Sequence, residues 1–185
     1  MEEEDLQIEN ILEKKEVKKK VNGKDKGNRT ELGLCKLLTQ HFGQDFTRSV
    51  GSGNRWSQAN LPEYAKQVFS GDICVPEGFS WVIESKGGYE NEVDLNNVTE
   101  GKISMLDTFI AQCCKDAEYC GRKPIVCWKR NRKPWIVVIE QKWFPMEFWE
   151  KNFPYRVCYG DWYMISLEKL LQCTDKDFWF NKAKS

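Results

Sequence analysis

Two short strand patterns lie close together in this chain, and the second one ends in charged residues. The first covers residues 72–75 and begins with Asp72, and the second covers residues 80–86 and ends in Glu84-Ser85-Lys86. Pro76-Glu77-Gly78 between them has the residue types of a tight turn, so we predict a β-hairpin. A hairpin is stable only as part of a larger sheet with a buried face, which constrains the rest of the fold.

The remaining apolar patterns follow helix and strand periods in turn. Residues 29–42 carry an apolar face at helical spacing and end at Gly43, and residues 102–119 repeat that pattern. The other predicted elements are strands at 45–50, 125–128 and 135–139 and a short helix at 166–173. The order helix, strand, strand, strand, helix, strand, strand predicts an α/β domain with a mixed central β-sheet flanked by helices.

The composition fits one domain with appended arms. The chain has 185 residues, of which 41% are hydrophobic and 30% charged, and its formal net charge is zero. A neutral chain excludes a uniformly basic nucleic-acid coat. No apolar run approaches the ~20 residues that span a bilayer, and Glu2-Glu3-Glu4-Asp5 is unlike a secretory signal. We expect no membrane contact and an intracellular location, either cytoplasmic or nucleoid-associated.

The cysteine and histidine counts disfavour several kinds of chemistry. The eight cysteines include no Cys-x-x-Cys pair, and in an intracellular chain they are expected to be free thiols. His41 is the only histidine, which disfavours a structural zinc site and any mechanism with a histidine base. Chemistry in this chain must therefore depend on carboxylates, on lysine, or on a metal held by oxygen atoms.

The end of the second strand is a candidate place for such chemistry. Side chains alternate along a strand, so Glu84 and Lys86 point to one face and Ser85 to the other. If the hairpin brings Asp72 beside Glu84, two carboxylates and a backbone carbonyl can form an open Mg²⁺ or Mn²⁺ site. Lys86 would then act on a phosphate or a water. The alternative is a turn aspartate next to a same-face ion pair.

Two earlier segments could add to this site. Glu31 lies within one turn of the apolar face of the first predicted helix, so it points either toward the sheet edge or into solvent, or it caps the helix. Arg48 and Ser52-Gly53 follow on from the strand at 45–50. A glycine loop with a hydroxyl beside a basic residue is a natural phosphate contact, and the alternative is a simple turn.

Together these short motifs resemble the PD-(D/E)XK nuclease superfamily. In order, the motifs are Lys26-Gly27 before Glu31, Arg48 to Gly53, Gly71-Asp72, and Ile83-Glu84-Ser85-Lys86. Within the superfamily they most resemble archaeal Holliday-junction resolvases of the Hjc type and their phage relatives, over about residues 24–140. The resemblance implies a restriction-endonuclease-like core at 23–142. A charged arm or helix at 1–22 would precede it, and an aromatic-rich extension at 143–185 would pack on it.

The resemblance also implies a role for each matching residue. The groups that would hold Mg²⁺, or Mn²⁺ in its place, are Asp72, Glu84, Glu31 and the backbone carbonyl of Ser85. Lys86 would be the catalytic lysine, and Ser52 would be the loop hydroxyl near the scissile phosphate. Such enzymes are homodimers that place two active sites across a four-way junction. The implied function is metal-dependent hydrolysis of phosphodiester bonds in branched DNA, by a phage or virus protein acting in the host cell.

Two features depart from the family pattern. Gly71 stands where the family has proline before the aspartate, and this affects only the turn. Residues 54–70 form a longer connection than usual, which bears on the substrate more than on the chemistry. The alternatives are a general or sequence-directed PD-(D/E)XK endonuclease, of restriction type or for phage DNA processing, and a non-catalytic DNA-binding module of the same fold.

Basic residues are clustered in a few places in this neutral chain. Residues 129–133, Lys-Arg-Asn-Arg-Lys, form either a solvated hairpin loop or a phosphate contact. The candidate DNA-binding residues are Lys26, Arg29, Arg48, Arg55, Lys129, Arg130 and Arg132. Gln112 and Lys115 on the second long helix could point toward the site. Trp56 could stack on a base, whereas the other tryptophans are expected in the core or in interfaces.

Overall fold

The computed structural model describes residues 23–49, 70–89, 100 and 105–180. The predictions for the arm at 1–22, for Ser52, and for Arg55 and Trp56 lie outside these residues, as does the side chain of Lys26. The described elements are α1 (Gly23–Phe42), β1 (Thr47–Arg48), β2 (Ile73–Cys74), β3 (Trp81–Gly87), α2 (Met105–Cys120), β4 (Lys123–Lys129), β5 (Trp135–Glu140), α3 (Met146–Asn152), β6 (Val157–Tyr159), β7 (Trp162–Ser166), α4 (Leu167–Cys173) and α5 (Lys176–Trp179).

A five-stranded mixed sheet forms the centre of the fold. Its strand order is β3-β4-β5-β7-β6. β3 and β4 run parallel and are joined through α2, and the other neighbouring strands are antiparallel. β1 and β2 form a separate antiparallel pair. The predicted α/β class with a mixed central sheet is confirmed. No helix in the described part of the chain is long and apolar enough to cross a membrane.

Helices cover both faces of this sheet, and each face has its own apolar cluster. Val82, Val126 and Val138 point to one face and pack against α2 in a small cluster. Ile83 and Val137 point to the opposite face and belong to a larger cluster that includes side chains from α1, α3, α4 and α5. This division follows from the alternation of side chains along a strand.

The first helix begins earlier than the sequence predicts. The composition of residues 22–28, with two glycines and two asparagines, predicts a turn-rich linker before a helix at 29–42. Gly23 already begins α1, so this prediction is wrong. Glycine and asparagine are weak helix formers, with a cost of at most about 1 kcal/mol each. Tertiary contacts offset this cost, because Thr30 packs directly against Gly87 and Asn28 accepts a hydrogen bond from Arg48. Gly43 ends the helix at φ +67°, as predicted.

The predicted hairpin between 72–75 and 80–86 is wrong, because the two segments belong to different sheets. β2 pairs with β1, and β3 pairs along its whole length with β4. The backbone bond that joins the two segments runs from Asp72 N–H to the Ile83 carbonyl, at 3.0 Å. Gly71 has a φ of +80°, and a Cβ there would lie 2.8 Å from that carbonyl oxygen. The chain therefore crosses the edge of β3 instead of running along it.

The C-terminal segment does more than pack on the core. β6 and β7 complete the five-stranded sheet, so part of residues 143–185 is integral to it. Trp149 and Trp179 are fully buried in the larger cluster, as expected for core tryptophans. The Lys123 ammonium lies over the rings of Trp81, Trp143 and Phe178, at 5.2, 4.9 and 5.8 Å from their centroids. These contacts join the last helix to the first strand of the sheet.

Candidate active site

Asp72 binds the open edge of β3 through both its backbone and its side chain. Its N–H donates to the Ile83 carbonyl at 3.0 Å, and its Oδ2 accepts the Ser85 N–H at 2.8 Å. The N–H and carbonyl of one strand residue point to the same edge, so the Ser85 carbonyl also faces Asp72. The contact between Asp72 and β3 thus places a carboxylate and a backbone carbonyl close together at the edge of the sheet.

Glu84 is the most deeply buried charged residue of this region, with no exposed surface. Its Oε1 accepts a hydrogen bond from the Lys86 ammonium, whereas its Oε2 is buried without a hydrogen-bond partner among the described residues. The pKa of Glu84 is raised to about 8, first by burial and then by the nearby Asp72 charge, against the opposing effect of Lys86. A buried carboxylate oxygen without a donor is costly unless something binds it.

Asp72 and Lys86 have shifted pKa values for related reasons. Burial raises the pKa of Asp72, and the hydrogen bond from Ser85 N–H opposes that rise. Burial alone would lower the pKa of Lys86, but the Glu84 carboxylate outweighs it and raises the pKa. Lys86 is therefore a fixed positive charge between two carboxylates. Its ammonium also lies 5.2 Å from the centre of the Phe109 ring.

The second long helix faces this site with one residue that we predicted and one that we did not. The Lys86 ammonium lies 3.4 Å from Gln112 Oε1, so Gln112 points toward the site, whereas Lys115 is exposed. The charge of Asp116 contributes to the raised pKa of Glu84. Asp116 is four residues after Gln112, and this i, i+4 spacing was the sequence signal for a second residue on the same face.

Glu31 and Arg48 bind each other. Arg48 Nε donates to Glu31 Oε2 at 2.6 Å, and its Nη2 donates to Asn28 Oδ1 at 2.7 Å. The described residues contain no group of three or more histidine, cysteine, aspartate or glutamate side chains placed to hold a metal. Glu31 as a metal ligand and Arg48 as a DNA contact thus stay predictions.

The Asp72–Glu84 pair has the chemistry of a divalent-cation site. Its donors are hard oxygens, which Mg²⁺ and Mn²⁺ prefer. The unpartnered Glu84 Oε2 and the like charge of Asp72 are both features that a cation would satisfy. Mg²⁺ usually binds one or two protein carboxylates and keeps several waters, so two carboxylates with a backbone carbonyl fit it.

Four of the predicted DNA-binding residues line a single groove. The groove has a volume of about 480 Å³ and lies between α1 and the β4–β5 connection. The residues that line it include Arg29, Lys129, Arg130, Arg132, Gly88 and Trp135, and none of its lining residues is acidic. The predicted antiparallel pairing of β4 with β5 is confirmed, with Val126 opposite Val138. The basic loop 129–133 thus faces α1 across a groove.

Comparison with known proteins identifies the family. Residues 22–179 match the family described as "Phage putative PDDEXK endonuclease". The chain belongs to this family. It is also similar to Protein D14 of Escherichia phage T5, with 24% identity over 124 residues, which cover 65% of this chain and 72% of that protein. The PD-(D/E)XK resemblance that the motifs predict is therefore confirmed, and the match extends past residue 142, the end of the predicted core.

A solved structure similar to this chain is that of Hjc, a Holliday junction resolvase from Archaeoglobus fulgidus. The two share 18% sequence identity, and the alignment covers 78% of this chain and 86% of Hjc with a TM-score of 0.37. A structural similarity this low gives no information about the substrate of this chain. Family membership makes the chain a nuclease of the PD-(D/E)XK type.

Proposed function

We propose that this nuclease is a Mg²⁺-dependent endonuclease that hydrolyses phosphodiester bonds in branched DNA, with Mn²⁺ able to replace Mg²⁺. The observation that supports the metal dependence is the Glu84 carboxyl group, which is fully buried beside Asp72 and has one oxygen without a hydrogen-bond donor among the described residues. Such an arrangement lowers the stability of a protein. Its presence next to Lys86 supports a role in binding a cation for catalysis.

Asp72, Glu84 and the Ser85 carbonyl are the groups that would hold the metal, with Glu31 as the further predicted ligand. Bound Mg²⁺ would supply Lewis-acid stabilisation of the negative charge on the reacting phosphate. The Ser85 N–H fixes the orientation of Asp72 through its 2.8 Å hydrogen bond, and Lys86 fixes that of Glu84. The two carboxylates are therefore positioned before any substrate binds.

Lys86 would act directly on the phosphate. Its ammonium has three donors, and contacts with Glu84 and Gln112 leave it able to donate a hydrogen bond to a phosphate oxygen. Gln112 carries no charge, so it restricts the position of the ammonium without neutralising it. In the proposed mechanism Lys86 stabilises negative charge at the scissile phosphate, and Ser52, the further predicted residue, contacts the same phosphate.

The preference for a branched substrate and the dimer are the finer parts of the proposal. Both follow from the motif order, which resembles that of resolvases of the Hjc type. A homodimer would carry two copies of the site and could cut two strands of a four-way junction. Membership of a phage family supports action on DNA inside an infected host cell, in the cytoplasm or at the nucleoid.

The deciding experiment is a cleavage assay on a synthetic four-way junction beside linear duplex, single strand and flap, with Mg²⁺, with Mn²⁺ and with EDTA. Paired symmetric nicks in the junction alone would support the full proposal. Equal metal-dependent cutting of linear duplex would instead indicate a general endonuclease. Tight junction binding without any cutting would indicate a binding module and overturn the enzymatic part.

The dimer has its own test. Size-exclusion chromatography with light scattering should give about twice the 21.7 kDa mass of one chain. A stable monomer that still makes paired nicks would contradict the dimer and leave the chemistry in place.

A further inference from the structure

The groove between α1 and the β4–β5 connection has the charge of an anion-binding surface. Four basic side chains line it, three from the connection and one, Arg29, from α1 on the other wall. The ion pairs Arg48–Glu31, Lys86–Glu84 and Lys142–Glu140 do not involve a residue that lines the groove. The Arg130 Nε is in addition buried without a hydrogen-bond partner among the described residues. Among the described residues, no acidic side chain lines the groove to neutralise its positive charge.

Aromatic contacts hold two of these basic side chains in place. Lys129 lies over the ring of Trp135 at 5.4 Å, and Arg130 lies over the ring of Trp128 at 5.6 Å. Both indoles are buried, so neither presents a free face on which a base could stack. Such a groove can recognise a charged backbone, but it offers no stacking platform for bases.

The residues that line the groove are close in the chain to the catalytic residues on both walls. Arg29 on α1 is two residues from Glu31, and Gly88 in the groove is two residues beyond Lys86. Two residues of extended chain span at most about 7 Å, so Gly88 lies within that distance of Lys86 along the backbone. The groove is also tied to the end of β3, because Gly88 N–H donates to the Lys129 carbonyl at 2.9 Å and its carbonyl accepts the Trp128 indole N–H at 2.8 Å.

We infer that this groove binds the phosphodiester backbone of the DNA strand next to the scissile phosphate and does so independently of sequence. The inference rests on the proposed function, because it takes DNA as the ligand. Guanidinium groups bind phosphate oxygens in a bidentate manner, and the groove brings together three of them and one ammonium. Sequence-independent contact suits an enzyme whose substrate is defined by its branching.

The test compares two neighbouring residues of the same loop. Arg132 lines the groove, whereas Lys133 is exposed and does not line it. Arg132 has a φ of +57°, which asparagine tolerates, so the variants are Arg132→Asn and the control Lys133→Asn. The affinity of the full chain for two short duplexes of unrelated sequence is measured by fluorescence anisotropy in EDTA, over a range of salt concentrations.

Arg132→Asn should weaken binding of both duplexes by roughly 3- to 10-fold and reduce the slope of log Kd against log salt by about one. Lys133→Asn should change both quantities much less. Arg29→Gln, on the opposite wall, should reproduce the effect of Arg132→Asn, which guards against a local disturbance of the loop. Equal losses for Arg132→Asn and Lys133→Asn, or a loss for one duplex only, would overturn the inference.

The outcome separates this inference from the proposed function. Binding in EDTA requires neither a metal nor cleavage. If wild-type protein cuts DNA and the groove variants bind as it does, the groove inference fails and the proposed function stands. If no DNA is cut but the groove variants lose affinity, the groove binds DNA and the enzymatic proposal fails.

Discussion

Trp81 and Glu84 on strand β3 are equally buried and chemically opposite. At its start, Trp81 is fully buried, and its indole N–H donates to the Phe178 carbonyl at 3.2 Å. Towards its end, Glu84 is just as buried, but one of its carboxylate oxygens has no hydrogen-bond partner among the described residues. The first end buries a large apolar ring with its polar atom satisfied. The second buries a carboxyl group beside the carboxyl group of Asp72.

The difference shows where this fold gains stability and where it gives stability up. Burying an aromatic ring among other rings stabilises a protein, and Trp81 contacts Trp143, Phe178 and Trp179. Burying two neighbouring carboxylates destabilises it unless a cation is present. Substitution of Trp81 should therefore change the free energy of unfolding, whereas substitution of Glu84 should change catalysis.

The largest expected effect is on catalysis. Glu84→Gln keeps the shape of the side chain and removes the charge that would bind the cation. Cleavage should fall by at least about 10³-fold, on the order of the loss when a key charge-stabilising group is removed. The measurement is a single-turnover rate with Mg²⁺, and the matched control Glu150→Gln, an exposed position on α3, should cut as wild type does. Near-normal cutting by Glu84→Gln would remove Glu84 from the mechanism.

The next effect is on stability at the opposite end of the strand. Trp81→Ala should lower the free energy of unfolding by about 3–5 kcal/mol, because it leaves a large cavity in the aromatic cluster. The control Tyr155→Ala, at a side chain that is 98% exposed, should change it by less than about 0.5 kcal/mol. Urea unfolding followed by circular dichroism measures both. A loss below about 1 kcal/mol for Trp81→Ala would contradict the assignment of stability to this end.

The next prediction concerns the effect of Mg²⁺ on the stability of the fold, through the carboxyl groups of Asp72 and Glu84. Mg²⁺ at about 100 times its Kd should stabilise the wild-type fold by about 2.7 kcal/mol, and EDTA should reverse this. Asp72→Asn should abolish the effect. Its metal-free form should be at least as stable as wild type, since asparagine keeps an acceptor for Ser85 N–H and removes the charge beside Glu84. Thermal unfolding measures both, and equal stabilisation of wild type and Asp72→Asn by Mg²⁺ would place the cation elsewhere.

The remaining expected effect is a pH dependence of the metal-free protein. The pKa of Glu84 is raised to about 8, so between its ordinary value of 4.5 and 8 the folded state keeps a proton that the unfolded chain has released. Stability in EDTA should therefore fall as pH rises through this window, by at most about 1.4 kcal/mol per pH unit. The raised pKa of Asp72 acts in the same direction.

Urea unfolding in EDTA at several pH values tests this prediction, with Glu84→Gln as the comparison. The variant should lack the part of the slope that comes from Glu84, and an unchanged slope would show that other groups cause it.

Local patterns predicted most of the elements and part of the site. The period of apolar residues predicted α2 and α4, because each of these buries one face against the sheet. Continuous apolar runs predicted β4 and β5, which are buried on both faces. β6 and β7 were missed, although Gly160-Asp161 between them has the residue types of a two-residue hairpin turn. β6 and β7 contain many aromatic and polar residues, so the alternation of apolar and polar side chains along them was not recognised.

The sequence by itself determined the elements, the family and the relation of Glu84 to Lys86. Side chains two apart in a strand share a face, so the ion pair between them follows from local geometry. The tertiary structure decided how Asp72 reaches β3, where Arg48 points and which basic residues share a groove. These depend on contacts between segments far apart in the chain, such as Gly71 against Ile83 and Arg29 opposite Arg132. Periodicity within one segment carries no information about such contacts.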